Sequence, residues 1–239
     1  MKNSSVNSAG LRGQVAGETE LCTVGQSGTG LTYRGYEITD LAENAEFEEI
    51  AFLLLKGHLP NLQELNDYKS KLKKLRNLPE EVKKVLEQIP PNSHPMDVMR
   101  TGCSILGCIE TEANFSQEDD KIDRMLALFP SIITYWYKFS HENKKINTET
   151  DDDTIGSHFL SLLHGEKPSN LYTKVMNVSL ILYAEHEFNA STFAARVCAS
   201  TLSDIHSCIT AAIGTLRGPL HGGANEAAMD LIQSFENPD

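Results

Sequence analysis

The amino-acid sequence predicts an all-α protein that opens with one short β-hairpin. Apolar residues recur every three or four positions through successive segments, and glycines, prolines or polar runs close each of them. Alternation with a period of two is confined to the residues before Tyr36. The 239 residues suit one or two domains with a substantial core, and 40% hydrophobic with 23% charged residues is ordinary for a globular chain.

The hairpin is read from LCTV and LTYRGYEI around GQSGTG. Its glycines serve neither of two phosphate or nucleophile motifs. A nucleophile elbow needs G-x-S-x-G, and Thr29 fills the last glycine position. A dinucleotide fingerprint needs a third glycine where Tyr33 stands.

Helical spacing then takes over. FEEIAFLLLKGHLP places Phe47, Ile50, Ala51, Leu54 and Leu55 on one face, and Gly57 and Pro60 stop it. LQELNDYKSKLKKL is amphipathic with a lysine-rich solvent side. PEEVKKVLEQI opens on Pro79 with glutamates that suit the positive end of a helix dipole. HPMDVMRTGCSILGCI, KIDRMLALFPSIITYWYKFS, TIGSHFLSLLHG and LYTKVMNVSLILYAEHEF follow, and the nearly continuous apolar run from Phe129 to Tyr135 marks a central helix despite Pro130. Asn189 and Ser191 read as caps of one further helix of about 25 residues, Ser191 to Leu216. Phe193, Val197, Leu202, Ile205, Ile209, Ile213 and Leu216 stripe it, small residues fill much of the remaining circumference, and charges are few. Such a helix is covered on most sides, which predicts a two-fold homodimer interface along it.

Composition removes several functions. A net charge of -12 opposes non-specific binding to nucleic acid or anionic membrane. No apolar run reaches the roughly 20 residues of a membrane span, and MKNSSVNSAGLRGQVAG lacks the apolar centre of a secretory signal. The five cysteines form no CxxC pair, so reduced thiols in a cytoplasmic protein are expected. QEDDKID and NTETDDDT lack the ligand spacing of a calcium loop; Asp151 to Asp153 are expected to front the helix that begins near Thr154.

No metal site is expected from the eight histidines. His158 and His164 stand about 240° apart on a helix, and HEFNA at His186 has Ala190 where a zinc-binding H-E-x-x-H needs its second histidine. His58, His141, His164 and His206 are expected at helix ends or on partly exposed faces. His94, held extended before Pro95, reads equally as inward or exposed. His186 and His221 differ: one ends the apolar segment NVSLILYAEH, the other stands in GPLHGGANE, where the backbone is free and packing is least. Spacing alone does not bring these two together.

GPLHGGAN, AEHEFNAST and LTYRGYEITDLAE…FEEIAFLLLKGHLP resemble the citrate synthase family, from Gly17 over nearly the whole chain. HPMDVMRTG, ETDDDTIGSHFLSLLHGEKPS and FENPD look closer to its 2-methylcitrate branch. The resemblance implies an acyltransferase of propionate catabolism that condenses propanoyl-CoA with oxaloacetate and hydrolyses the thioester. It implies no bound cofactor, coenzyme A entering only as the substrate's thioester, and a homodimer packed through large-domain helices. By it, His221 is the catalytic histidine that hydrogen-bonds the enol oxygen, with Gly222 and Gly223 leaving room for substrate at a hinge. His186 binds oxaloacetate, and Tyr68, otherwise an exposed helix tyrosine, touches substrate. The expected division is a flexible arm over 1–16, a large helical domain over 17–221, and the hinge and start of a small domain over 222–239. The family's second catalytic histidine, its aspartate base and its coenzyme A segment match nothing before Asp239, so residues 1–239 alone are expected to lack synthase activity. Ordinary citrate synthase using acetyl-CoA, and a non-catalytic helical dimerisation module, remain as other readings.

Overall fold

The computed structural model describes residues 17–25, 30–111 and 118–235. The expected arm over 1–16, the tip of the hairpin turn and the last residues of FENPD lie outside them. Eleven helices account for most of the described chain. The hairpin is in fact a three-stranded antiparallel sheet, β1 (Cys22–Val24), β2 (Leu31–Tyr33) and β3 (Tyr36–Glu37), in the order β1-β2-β3. The third strand folds back through Arg34 and Gly35, both at positive φ (46° and 88°), which a glycine at the second position makes easy.

The sheet feeds α1 (Ile38–Asn44) and α2 (Phe47–Lys56). In α2, Glu46 and Glu49 form a reciprocal capping box and Gly57 closes the helix at φ 92°. Asn61 caps α3 (Leu62–Lys74), α4 spans Glu80–Leu86, and His94 caps α5 (Pro95–Ile109). The long α6 (Glu118–Glu142) runs through the middle, with Leu128, Ile132, Tyr135 and Trp136 buried, as its apolar run predicted. Thr154 caps α7 (Ile155–His164), directly behind the three aspartates. α8 (Asn170–Leu182) leads to the loop that carries His186.

Two expectations fail here. The single helix from Ser191 to Leu216 is two helices, α9 (Ala190–Ala199) and α10 (Ile205–Leu216), packed against each other as a hairpin. The hydroxyls of Ser200 and Thr201 turn back to the carbonyls of Val197 and Cys198, Leu202 adopts φ 62°, and Asp204 caps the new helix by accepting from the Ser207 N–H. Side chains that satisfy backbone groups locally end a helix more effectively than an uninterrupted stripe prolongs it. α9 packs on one side of α10 and α5 on another. Tyr68, expected on the lysine-rich surface of α3, is buried: its ring packs edge-on against Phe52 and its hydroxyl donates to Asp123 at 3.0 Å.

Two buried polar side chains tie the core to the connections around it. Arg76, 1% exposed, donates to the carbonyls of Thr150, Asp152 and Thr154 and so fixes the connection into α7. His158 lies between Ser131 (3.2 Å) and Thr150 (3.0 Å); burial and the nearby Arg76 charge push it down to about 3, so it stays neutral and structural. His206 stands at the start of α10 as expected of a helix-end histidine, but it is buried.

Candidate active site

Five helix ends meet at one open cavity of about 1010 Å³. α8 and α10 end there, and α5, α9 and α11 (Ala224–Gln233) begin there. Its wall includes His94 and Met96 from α5, Glu185 and His186 from the loop after α8, Asn189 and Ser191 from the start of α9, Arg217 and His221 after α10, and Glu226 and Asp230 from α11. Three helix N-termini turn the positive ends of their dipoles toward one wall, a setting that favours an anion.

Local folding places each histidine. Asn189 accepts from the N–H groups of Ser191 and Thr192, which fixes where α9 starts. That start presents Ser191 to His221: the Ser191 N–H reaches Nε2 at 3.2 Å and its Oγ lies 2.9 Å from the same nitrogen. A hydroxyl can rotate its hydrogen away, but a backbone hydrogen has a fixed direction, so Nε2 must accept. The ring proton then sits on Nδ1, leaving that N–H as the donor for a ligand. His94 is held by the same device. Its Nδ1 accepts from the Met96 N–H at 3.1 Å, which puts the proton on Nε2, 3.6 Å from a Glu226 carboxylate oxygen.

After α10 the chain is wound tightly rather than left open. The His221 N–H donates to Gly218 O and the Gly222 N–H to Leu216 O, both at 3.0 Å. A Cβ at Gly222 would stand 2.1 Å from Leu216 O, and one at Gly223 3.0 Å from Pro219 Cα. The space these glycines leave is filled by the chain's own backbone, a different use from the room for substrate that the sequence suggested.

The cavity's carboxylates, Glu185, Glu226 and Asp230, face a single guanidinium, Arg217, whose Nε also lies 3.5 Å from Asp97. The described wall thus offers hydrogen-bond donors and helix dipoles more than net positive charge. Among the described residues, no group of three or more His, Cys, Asp or Glu could hold a metal ion. The structure brings His186 and His221 to one cavity, as the sequence could not, and adds His94. It does not bring Tyr68, whose hydroxyl is committed to Asp123 inside the core and whose phenol is pushed up by burial and that carboxylate. Ser191 was read only as a cap; nothing in its local sequence points to a histidine 30 residues on.

The family model for the citrate synthase C-terminal domain matches residues 10–239. The chain belongs to the citrate synthase family. It is 69% identical over 229 residues to a 2-methylcitrate synthase of Shewanella oneidensis, covering 96% of this chain and 61% of that protein. A citrate synthase of Heyndrickxia coagulans is 36% identical over 239 residues, covering 99% and 64%. Among solved structures, the ternary complex of Thermoplasma acidophilum citrate synthase with carboxymethyl coenzyme A and oxaloacetate superposes with a TM-score of 0.85 at 35% identity, over 95% of this chain and 60% of that one. This citrate synthase family chain thus spans about 60% of the length of the relatives it matches.

Proposed function

We propose that this chain is the larger, N-terminal part of an acyltransferase that condenses propanoyl-CoA with oxaloacetate and water, giving 2-methylcitrate and coenzyme A. The observation that carries the reading is the shared cavity of His186 and His221, with His221 Nε2 held by Ser191. Taking a proton from the carbon beside a thioester carbonyl places negative charge on that oxygen. A donor already aimed at the oxygen stabilises this charge without reorganising. His221, with Nδ1–H available, has that role. His186 and the N-termini of α5, α9 and α11 suit the carboxylates of oxaloacetate. Residues 17–221 then form the large-domain part and 222–239 the hinge with the start of a small domain. A non-catalytic module has no need of two histidines whose tautomers are set by backbone N–H groups around a cavity.

Acetyl-CoA is the competing substrate, and the 69% identity to a 2-methylcitrate synthase against 36% and 42% to two citrate synthases favours propanoyl-CoA. Steady-state rates of the full-length protein with oxaloacetate should give a higher kcat/KM for propanoyl-CoA than for acetyl-CoA, with 2-methylcitrate as product. A reversed preference would make it an ordinary citrate synthase, and no turnover with either would end the catalytic reading.

The enzyme is further proposed to be a cytoplasmic homodimer. Among the described residues no helix is long and apolar enough to cross a membrane, and all five cysteines are free. α9 has no buried residue and α10 buries His206, Cys208 and Ile213, which leaves apolar surface for a two-fold contact: Val197 on α9 and Leu202 after it, with Leu171, Tyr172 and Val175 on α8, all stand at least half exposed. Light scattering should give a dimer mass for residues 1–239 at tens of micromolar. A monomer mass with the helical circular dichroism intact would contradict this.

A further inference from the structure

We propose that Tyr33, together with Cys22 and Glu187, positions His186, so that the small N-terminal sheet acts as the clamp setting where the oxaloacetate-binding histidine stands. The inference rests on the reading of His186 as an oxaloacetate ligand.

His186 belongs to a loop with no regular structure of its own, between the end of α8 and the Asn189 cap of α9. Left to local interactions such a loop samples many backbone states, and a ligand on it loses affinity in proportion. Here the residues on both sides of His186 are tied to the sheet. The Tyr33 hydroxyl, fully buried and 152 residues away in sequence, donates to the Ile181 carbonyl at 2.9 Å and lies 3.3 Å from the Glu185 N–H, which it accepts. Cys22 Sγ accepts from the Glu187 N–H at 3.0 Å and donates to the Glu185 carboxylate at 3.6 Å. Burial and the two glutamates push the Cys22 thiol up to about 11, so it keeps the proton it donates. The Glu187 carboxylate in turn accepts the Val24 N–H of β1 at 3.2 Å.

These bonds hold a conformation that would not persist alone. Glu187 has φ 55°, a left-handed state that a side-chain-bearing residue keeps where its surroundings over-determine it. One residue further, Phe188 lies so close to Gly17 that a Cβ there would meet its ring at 3.1 Å. His186 is thus bracketed at 185, 187 and 188 by the N-terminal segment while its own side chain remains exposed on the cavity wall. None of Tyr33, Cys22 or Glu187 lines the cavity, so their effect on a ligand passes through the histidine.

Kinetics of the full-length protein with Tyr33→Phe, Glu187→Ala and Glu187→Gln test the clamp. Tyr33→Phe and Glu187→Ala should each raise KM for oxaloacetate about tenfold while kcat at saturation and KM for propanoyl-CoA stay within about twofold. Glu187→Gln, whose amide oxygen still accepts the Val24 N–H, should restore a near-wild-type KM. An unchanged oxaloacetate KM in folded Tyr33→Phe and Glu187→Ala proteins would overturn the proposal, as would an equal rise in both KM values; Glu187→Ala decides alone if Tyr33→Phe does not fold. Should the wild-type protein turn over no oxaloacetate, the reading of His186 fails and the clamp is judged separately by hydrogen exchange in residues 1–239. Faster exchange of the Glu185 and Glu187 amides in Tyr33→Phe, with the helices unchanged, supports it; unchanged exchange there removes it.

Discussion

Gly222→Ala is expected to cut kcat of the full-length protein by about a hundredfold, the scale on which a displacement near 1 Å at a reacting group acts. The added methyl group would stand 2.1 Å from the Leu216 carbonyl oxygen and 3.1 Å from its carbon, distances that only movement of backbone can relieve. The backbone that moves is the turn that winds His221 over the end of α10, because the Gly222 N–H donates to that same Leu216 oxygen. Nε2 of His221 then leaves the Ser191 N–H, and the tautomer and aim of the ring are lost together. Overpacking of this kind also costs about 1–3 kcal/mol of stability, so the thermal midpoint should fall by several degrees. Wild-type kcat and an unshifted midpoint would show that the turn relaxes without moving the histidine.

The elements that declared themselves in the sequence are those whose ends carry their own chemistry. Thr154 and Asn189 cap helices because a short polar side chain there satisfies N–H groups that nothing else can reach, and Gly57 and Gly165 close helices in the left-handed state. The break at 200–204 was equally written, in Ser200, Thr201 and Asp204, but Leu202 and Ile205 continue the apolar stripe across it and masked the signal. Tyr68 was misplaced for a different reason. Its lysine neighbours on α3 describe a solvated face, while Asp123, the partner that draws it inward, lies 55 residues later on α6. α11 falls in the stretch expected as a hinge and the start of a small domain, where the glycines before it hide its first turn.

The site follows the same division. His221 stood out through its glycines and His186 through the end of an apolar segment, both local features. That they share a cavity, that Ser191 sets the tautomer of His221, and that His94 joins them are consequences of five helix ends meeting, which no periodicity encodes.

His221→Ala should lower kcat by on the order of 10²–10⁴, the range for losing a positioned acid or oxyanion donor. On the proposed role, truncation removes the Nδ1–H that would meet charge on the thioester oxygen, and this charge exists only as the proton leaves. The loss therefore falls on kcat, whereas KM for oxaloacetate, which is bound before charge develops, should change little. Ser191 keeps its N–H in the variant and Asn189 still accepts it, so α9 retains its start and the fold is not at stake. The decisive measurement is kcat of folded, full-length His221→Ala against wild type at saturating oxaloacetate and propanoyl-CoA. A fall of two to four orders of magnitude with oxaloacetate KM nearly unchanged is the predicted result; a kcat within about tenfold of wild type would make His221 a structural residue and contradict the assignment.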